Sequence, residues 1–148
     1  MFVIAAVVVL TVAVAGWFLL RGHGPSSEFI VAHDRFVGAA HDVEAAEGKV
    51  RRFLDLSTFQ ATVDNRIAVM RKEAAIFLRL SRDEGDNAAS IAKEAAQTSS
   101  RALTAIYAYQ DAIQRTHNLS AANSSITQLE AQLAELDRLA QEWKDLSK

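Results

Sequence analysis

Four histidines, His23, His33, His41 and His117, are the side chains of this 148-residue chain best suited to proton transfer or metal binding near neutral pH. No two of them make the i, i+4 pair that sets two imidazoles on one helix face, the spacing a helical metal site uses. His41-Asp42-Val43-Glu44 puts a carboxylate three residues after a histidine, a spacing that could share an ion. The di-iron bundle pattern runs the other way, Glu-x-x-His, and needs a copy on each of two helices. Neither copy is present. Thr98-Ser99-Ser100 offers hydroxyls, but the histidines lie far away in sequence and there is no cysteine, so no nucleophile and base can be paired. No glycine-rich loop resembles a phosphate cradle. These side chains are expected to be solvated or to pack between helices. No catalytic residue, metal ligand or cofactor site is expected, and the chain is not expected to be an enzyme.

Charge narrows the partners. The formal net charge is −2, without the basic character that favours nucleic acid. Lys49, Arg51 and Arg52 form a small basic cluster that could touch anionic lipid or phosphate, although Glu44 and Glu47 partly neutralise it. Asn118-Leu119-Ser120 and Asn123-Ser124-Ser125 match the short glycosylation pattern, which a serine-rich loop also produces by chance.

The elements that would carry these residues are helices. Residues 2–20, FVIAAVVVLTVAVAGWFLL, contain no charge. As a helix they would extend about 28 Å, close to the hydrocarbon thickness of a bilayer. Trp17 and Phe18 sit near one end, Arg21 and His23 follow, and Gly22, Gly24 and Pro25 interrupt the helix. Residues 1–21 are therefore expected to be a transmembrane anchor in contact with lipid, and 22–27 a short Gly/Pro/Ser linker. A cleaved signal peptide, ending at Ala13-Val14-Ala15, is the rival, but no basic residue precedes the apolar run. Arg21 and Arg35 flank one side only, so the positive-inside rule directs the following domain to the cytoplasm.

Residues 28–148 are expected to form a helical bundle. Phe36, Ala39, Val43, Ala46, Val50 and Phe53 step by three and four, and a second seam runs Phe59, Val63, Ile67, Met70, Ala74, Phe77. The spacing predicts helix over about 27–83, either continuous or broken near 55–57, where Ser57-Thr58-Phe59-Gln60 fits a capping box. Asp83 to Asn87 predicts a turn. A helix over about 88–117 carries a weak stripe of Ile91, Ala95, Ala102, Ile106 and Ile113, with Leu103, Tyr107 and Tyr109 alongside. A last helix, over about 124–147, opens at the capping pattern Ser125-Ile126-Thr127-Gln128. Its repeat of Ile126, Leu129, Leu133, Leu136, Ala140 and Trp143 marks Ile126, Leu129, Leu133, Leu136 and Trp143 as a candidate interaction seam for self-association or partner helices. The fold expected is all-α: a single N-terminal transmembrane helix and a three- or four-helix antiparallel bundle with coiled-coil-like seams.

Asp64-Asn65-Arg66-Ile67-Ala68-Val69-Met70-Arg71-Lys72 resembles the Glu-Asn-Arg-Ile-Ala-Val-Ala-Arg-Arg segment of LemA-type proteins. That resemblance implies an N-terminal transmembrane helix with its N-terminus outside and a cytoplasmic helical bundle. It covers nine residues. Here Glu73-Ala74 follows where the family has Tyr-Asn, the segment lies early instead of late, and the family's Leu-Ile-Pro-Asn-Leu motif is absent. It implies no functional residue.

The functional expectation is a membrane-anchored scaffold acting through helix–helix packing. The alternatives are a ligand-sensing bundle with a pocket near Tyr107, Tyr109 and the histidines, and a phage-type lysis or envelope-bridging protein.

Overall fold

The computed structural model describes residues 25–50, 56–146 and 148, all of its regular structure helical. Among the described residues four helices follow one another: α1 (Glu28–Val50), α2 (Leu56–Asp83), α3 (Asp86–Gln114) and α4 (Leu119–Asp145). The long stretch 27–83 is thus two helices, with 51–55 outside the described residues. Among the described residues no helix is long and apolar enough to cross a membrane. The expected anchor at 1–21 and half of the linker at 22–27 lie outside the described residues, as do Val50 and Phe53 as side chains.

Successive helices run antiparallel and pack on one another, and α4 closes back onto α1. The seams differ in character. α3 buries small residues, Ala88, Ala92, Ala95, Ala102 and Ala105 among them, which permit close backbone approach where it packs on α2 and α4. The α1–α4 seam is propped open by rings. Phe29 stacks on Trp143 with centroids 4.2 Å apart, and Phe77 of α2 leans on Phe29 at 5.0 Å and on Phe36 at 6.4 Å. At the opposite end of the bundle Phe59 meets Tyr109 edge-on at 6.1 Å. Aromatic rings, alanines and aliphatic side chains such as Met70, Ile106, Leu129, Leu136 and Leu139 together fill the core.

Charge fixes the register of α1 against α2. Glu28, Arg35 and Asp42 recur every seven residues on α1 and face Arg79, Glu73 and Arg66 on α2. Each rung has the opposite polarity to its neighbour, so a slip by one heptad would set like charges together.

Two helix starts differ from expectation. α3 begins at Asp86 behind an extended Gly85 (φ −71°, ψ 164°) that supplies no side-chain cap. α4 begins at Leu119, not near 124, because the Asn118 side chain accepts the Ala121 N–H at 3.0 Å. Ser125 is inside the helix and donates back to the Ala121 carbonyl at 3.0 Å. The turn before α4 is closed by His117 in the left-handed region, φ 48°, a conformation that histidine tolerates better than most side chains.

Candidate functional site

The interaction seam expected on the last helix is occupied by the chain's own helices. Leu129, Leu133, Leu136 and Trp143 are buried in the common core, and Ile126 packs partly buried against it. Among the described residues the exposed large apolar side chains are Val31, Leu78, Tyr107, Leu119 and Leu146.

The described histidines, His33, His41 and His117, do not converge. His23 lies outside the described residues. His41 is exposed, and its Nδ1 lies 3.0 Å from Glu44 Oε2 of the same helix. His117 is exposed in the α3–α4 turn. Among the described residues no group of three or more metal-ligating side chains comes together. Tyr107 points outward beneath the Arg71 guanidinium, 5.3 Å from its ring centre, whereas Tyr109 is buried. Tyr107 and Tyr109 thus point to different sides of α3. Thr98 and Ser99 are buried and Ser100 is exposed; Ser99 Oγ donates to the Ala96 carbonyl at 2.9 Å, the packing role expected of it.

The exception is His33. It is 8 % exposed, at the start of α1. Its Nδ1 lies 2.9 Å from Asp34 Oδ1, and its Nε2 lies 2.9 Å from Asp137 Oδ1 of α4. The sequence signal was its place three residues before Phe36, on the backward continuation of the α1 seam. The two carboxylates address opposite ring nitrogens and so cannot share one ion with the imidazole. Seven residues earlier, just before α1, Trp143 Nε1 donates to the Ser26 carbonyl at 3.0 Å, and the Ser26 N–H donates to Glu84 Oε1 at 3.2 Å. The first residues of α1 are thereby tied to both α4 and the α2–α3 turn.

The other seams carry polar ties of their own. Gln110 Nε2 of α3 donates to Asp64 Oδ1 of α2 at 2.9 Å. Arg138 of α4 reaches Glu94 of α3 at 3.3 Å, while also engaging Glu135 and Glu142 on its own helix. These partners hold the Glu135 carboxyl below its ordinary range, chiefly through the Arg138 hydrogen bond. In the same way Lys148, then Gln141, lower the Asp145 carboxyl.

One buried charge is poorly served. Glu73 is 2 % exposed, its Oε2 has no hydrogen-bond partner, and its Oε1 lies 3.9 Å from Arg35 Nη1. It occupies the α2 seam position between Met70 and Phe77, which the sequence pattern assigned to Ala74; Ala74 is only partly buried. A shallow groove between the start of α3 and the end of α4 is lined by Asn87, Ser90, Ile91, Glu94, Glu142 and Asp145. Its carboxylates are engaged by Arg138 and Lys148.

Lys49 lies in the last turn of α1. At 1.5 Å per residue, that turn is about 30 Å along the axis from Glu28.

Comparison of the chain with protein-family models, with curated proteins and with solved structures finds no match. The LemA-like likeness is confined to nine residues, which form a continuous stretch of α2.

Proposed function

We propose that this protein is a single-pass, membrane-tethered helical scaffold whose bundle presents its outer helix faces to partner proteins or to further copies of itself. The observation that carries the proposal is the linkage at Ser26. The uncharged run 2–20 ends only five residues before a backbone tied to Trp143 and Glu84. The six steps from residue 20 to Ser26 reach at most about 22 Å. An anchor at 2–20 would therefore hold the bundle close to the membrane by a defined end, with the α2–α3 turn and the α4 C-terminus nearest the surface. The cluster Lys49, Arg51 and Arg52 begins at the opposite end of α1, which favours a role away from lipid. Arg21 and Arg35 favour a cytoplasmic bundle.

The seam of α4 serves to close the bundle in this proposal, and partner contacts fall on the outward faces. The experiment is site-specific photo-crosslinking in the native membrane. The full chain would carry the photoreactive residue at Leu78, at Tyr107, or at the buried Leu136 as an internal control. Defined crosslinked species from Leu78 or Tyr107, and none from Leu136, are the expected result. No crosslinked species from any outward position would overturn the scaffold reading. A reporter fused after Lys148 tests the orientation: cytoplasmic activity is expected, and activity only outside would contradict it.

A further inference from the structure

We propose that the basic outer face of α2 and the acidic outer face of α4 are matched surfaces, by which copies of this chain stand side by side on the membrane. The partner is a second copy of the chain, and the arrangement rests on the membrane-tethered reading. α2 carries five basic side chains, Arg66, Arg71, Lys72, Arg79 and Arg82, against three acidic ones, of which Glu73 is buried. α4 has the reverse balance, Glu130, Glu135, Asp137, Glu142 and Asp145 against Arg138 and Lys144. α2 packs on α1 and α3, and α4 packs on the same two helices, so α2 and α4 occupy opposite corners of the bundle. Each copy therefore shows a basic corner on one side and an acidic corner on the other.

The two corners run the same way and are level. Both α2 and α4 end beside the first turn of α1, at the Arg79–Glu28 and Trp143–Phe29 contacts. Further along α1, Asp137 of α4 meets His33 and Arg66 of α2 meets Asp42. Counting along α1 between these contacts sets Lys72 level with Ala134, between Glu130 and Asp137. It sets Arg82 level with Lys144, beside Asp145. Lys72, Arg82 and Glu130 are exposed and pair with no other described side chain of their own copy. Ala68 and Ala75 lie among the basic residues of α2, and Ala131 and Ala134 among the acidic residues of α4, all four exposed. Small side chains there let the two helices approach closely.

An anchor at the Ser26 end gives every copy one orientation. Moving a copy sideways without turning it then brings α2 of one against α4 of the next. Such a contact is heterologous: it leaves one face of each kind unused and repeats into a row or, with a small rotation, a ring. Opposite charge favours α2 against α4, whereas α2 against α2 or α4 against α4 sets like charges together. Exposed ion pairs are individually weak, so these faces associate little in dilute solution. Confinement to one membrane surface raises the effective concentration that the contact needs.

The chain has no cysteine, so single introduced cysteines report contacts between copies cleanly. The test co-expresses the full chain carrying Ala68→Cys with a size-tagged full chain carrying Ala131→Cys, and treats the membranes with a short bis-maleimide. A crosslink between the two variants is expected, and none between copies of either variant alone. Lys72→Glu in both chains is expected to reduce the mixed crosslink about tenfold, and adding Glu130→Lys to restore it to within about twofold, because the reversed charges again oppose each other. Both swapped residues are exposed, so the core is left as it is. Crosslinking of either variant to itself as strong as the mixed product overturns the matched faces, as does a mixed crosslink that Lys72→Glu leaves unchanged. A membrane-held chain without the mixed crosslink overturns them and leaves the tether standing. A chain released from the membrane overturns the tether, and the row with it.

Discussion

Trp143 lies flat on Phe29, ring centroids 4.2 Å apart and planes 10° from parallel, while its indole N–H donates to the Ser26 carbonyl at 3.0 Å. One side chain near the end of the chain therefore covers the first core residue of α1 and also fixes the backbone just before it. Trp143→Ala is expected to cost about 3–5 kcal/mol, the range for emptying a buried aromatic site. Trp143→Phe keeps a stacking ring but loses the N–H donor, and about 1–2 kcal/mol with it. Urea unfolding of the full chain in detergent checks both. Equal losses for the two variants would show that ring volume is not what holds this end.

Glu73 is the weakest point of the core. A carboxylate that is 2 % exposed, with one oxygen unpartnered and the other 3.9 Å from Arg35, gains little for its desolvation. Glu73→Met, with similar length and no charge, is expected to stabilise the bundle by about 1–3 kcal/mol. A loss of stability would mean that the carboxylate has a partner of its own in solution. Its place in the Glu28–Arg79, Arg35–Glu73, Asp42–Arg66 ladder adds a second expectation. The stabilised variant should tolerate α1–α2 misregister more readily, read as broadened amide resonances in those helices.

Two caps separate by sign. Asn118 caps α4 through its side chain, and Asn118→Ala is expected to cost about 1 kcal/mol. Gly85 stands at the start of α3 in an extended conformation open to any residue, makes no side-chain cap, and has no atom within 4 Å of an added Cβ. Gly85→Ser is expected to stabilise by about 0.5–1 kcal/mol, by supplying the missing acceptor and by restricting the unfolded chain. Thermal midpoints moving in opposite directions are the outcome sought; a destabilised Gly85→Ser would show that the α2–α3 turn needs glycine's freedom.

Acid should weaken α4 first. The Arg138 hydrogen bond lowers the Glu135 carboxyl, and Lys148 lowers that of Asp145. Groups with depressed pKa stabilise the fold above their unfolded values, and that contribution is lost as pH falls through the folded ones. α4 is therefore expected to lose amide protection below about pH 4. Arg138→Met should return the Glu135 carboxyl toward its ordinary range in a carbon-13 titration. An unchanged Glu135 titration would remove Arg138 as the cause.

Much of this fold was legible in the residues. The three-four spacing of Phe59, Val63, Ile67, Met70 and Phe77 placed the buried face of α2, and Leu129, Leu133, Leu136 and Trp143 that of α4. The pattern misassigned positions where a residue's type disguised its environment. Glu73 was passed over for Ala74 because a buried carboxylate contradicts the usual polarity of a seam. Ser125 read as a cap because a hydroxyl that donates back to its own helix looks the same in sequence. In α3 the apolar spacing marks Ile91 and Ile113, which are partly buried, whereas the smaller Ala92, Ala105 and Ala112 are in the core. Alanine carries so little hydrophobic signal that helix phase is poorly marked. His33 stood out least, because its second partner, Asp137, is 104 residues away and only the closure of α4 onto α1 brings them together.

The most direct test of the central claim is extraction of membranes from expressing cells at alkaline pH. The full chain is compared with a variant lacking residues 2–20. The account predicts that the full chain stays in the pellet and the shortened chain is released, with the same helical spectrum. Release of the full chain into the supernatant would contradict the tether, and with it the proposal that this bundle works as a membrane-held scaffold.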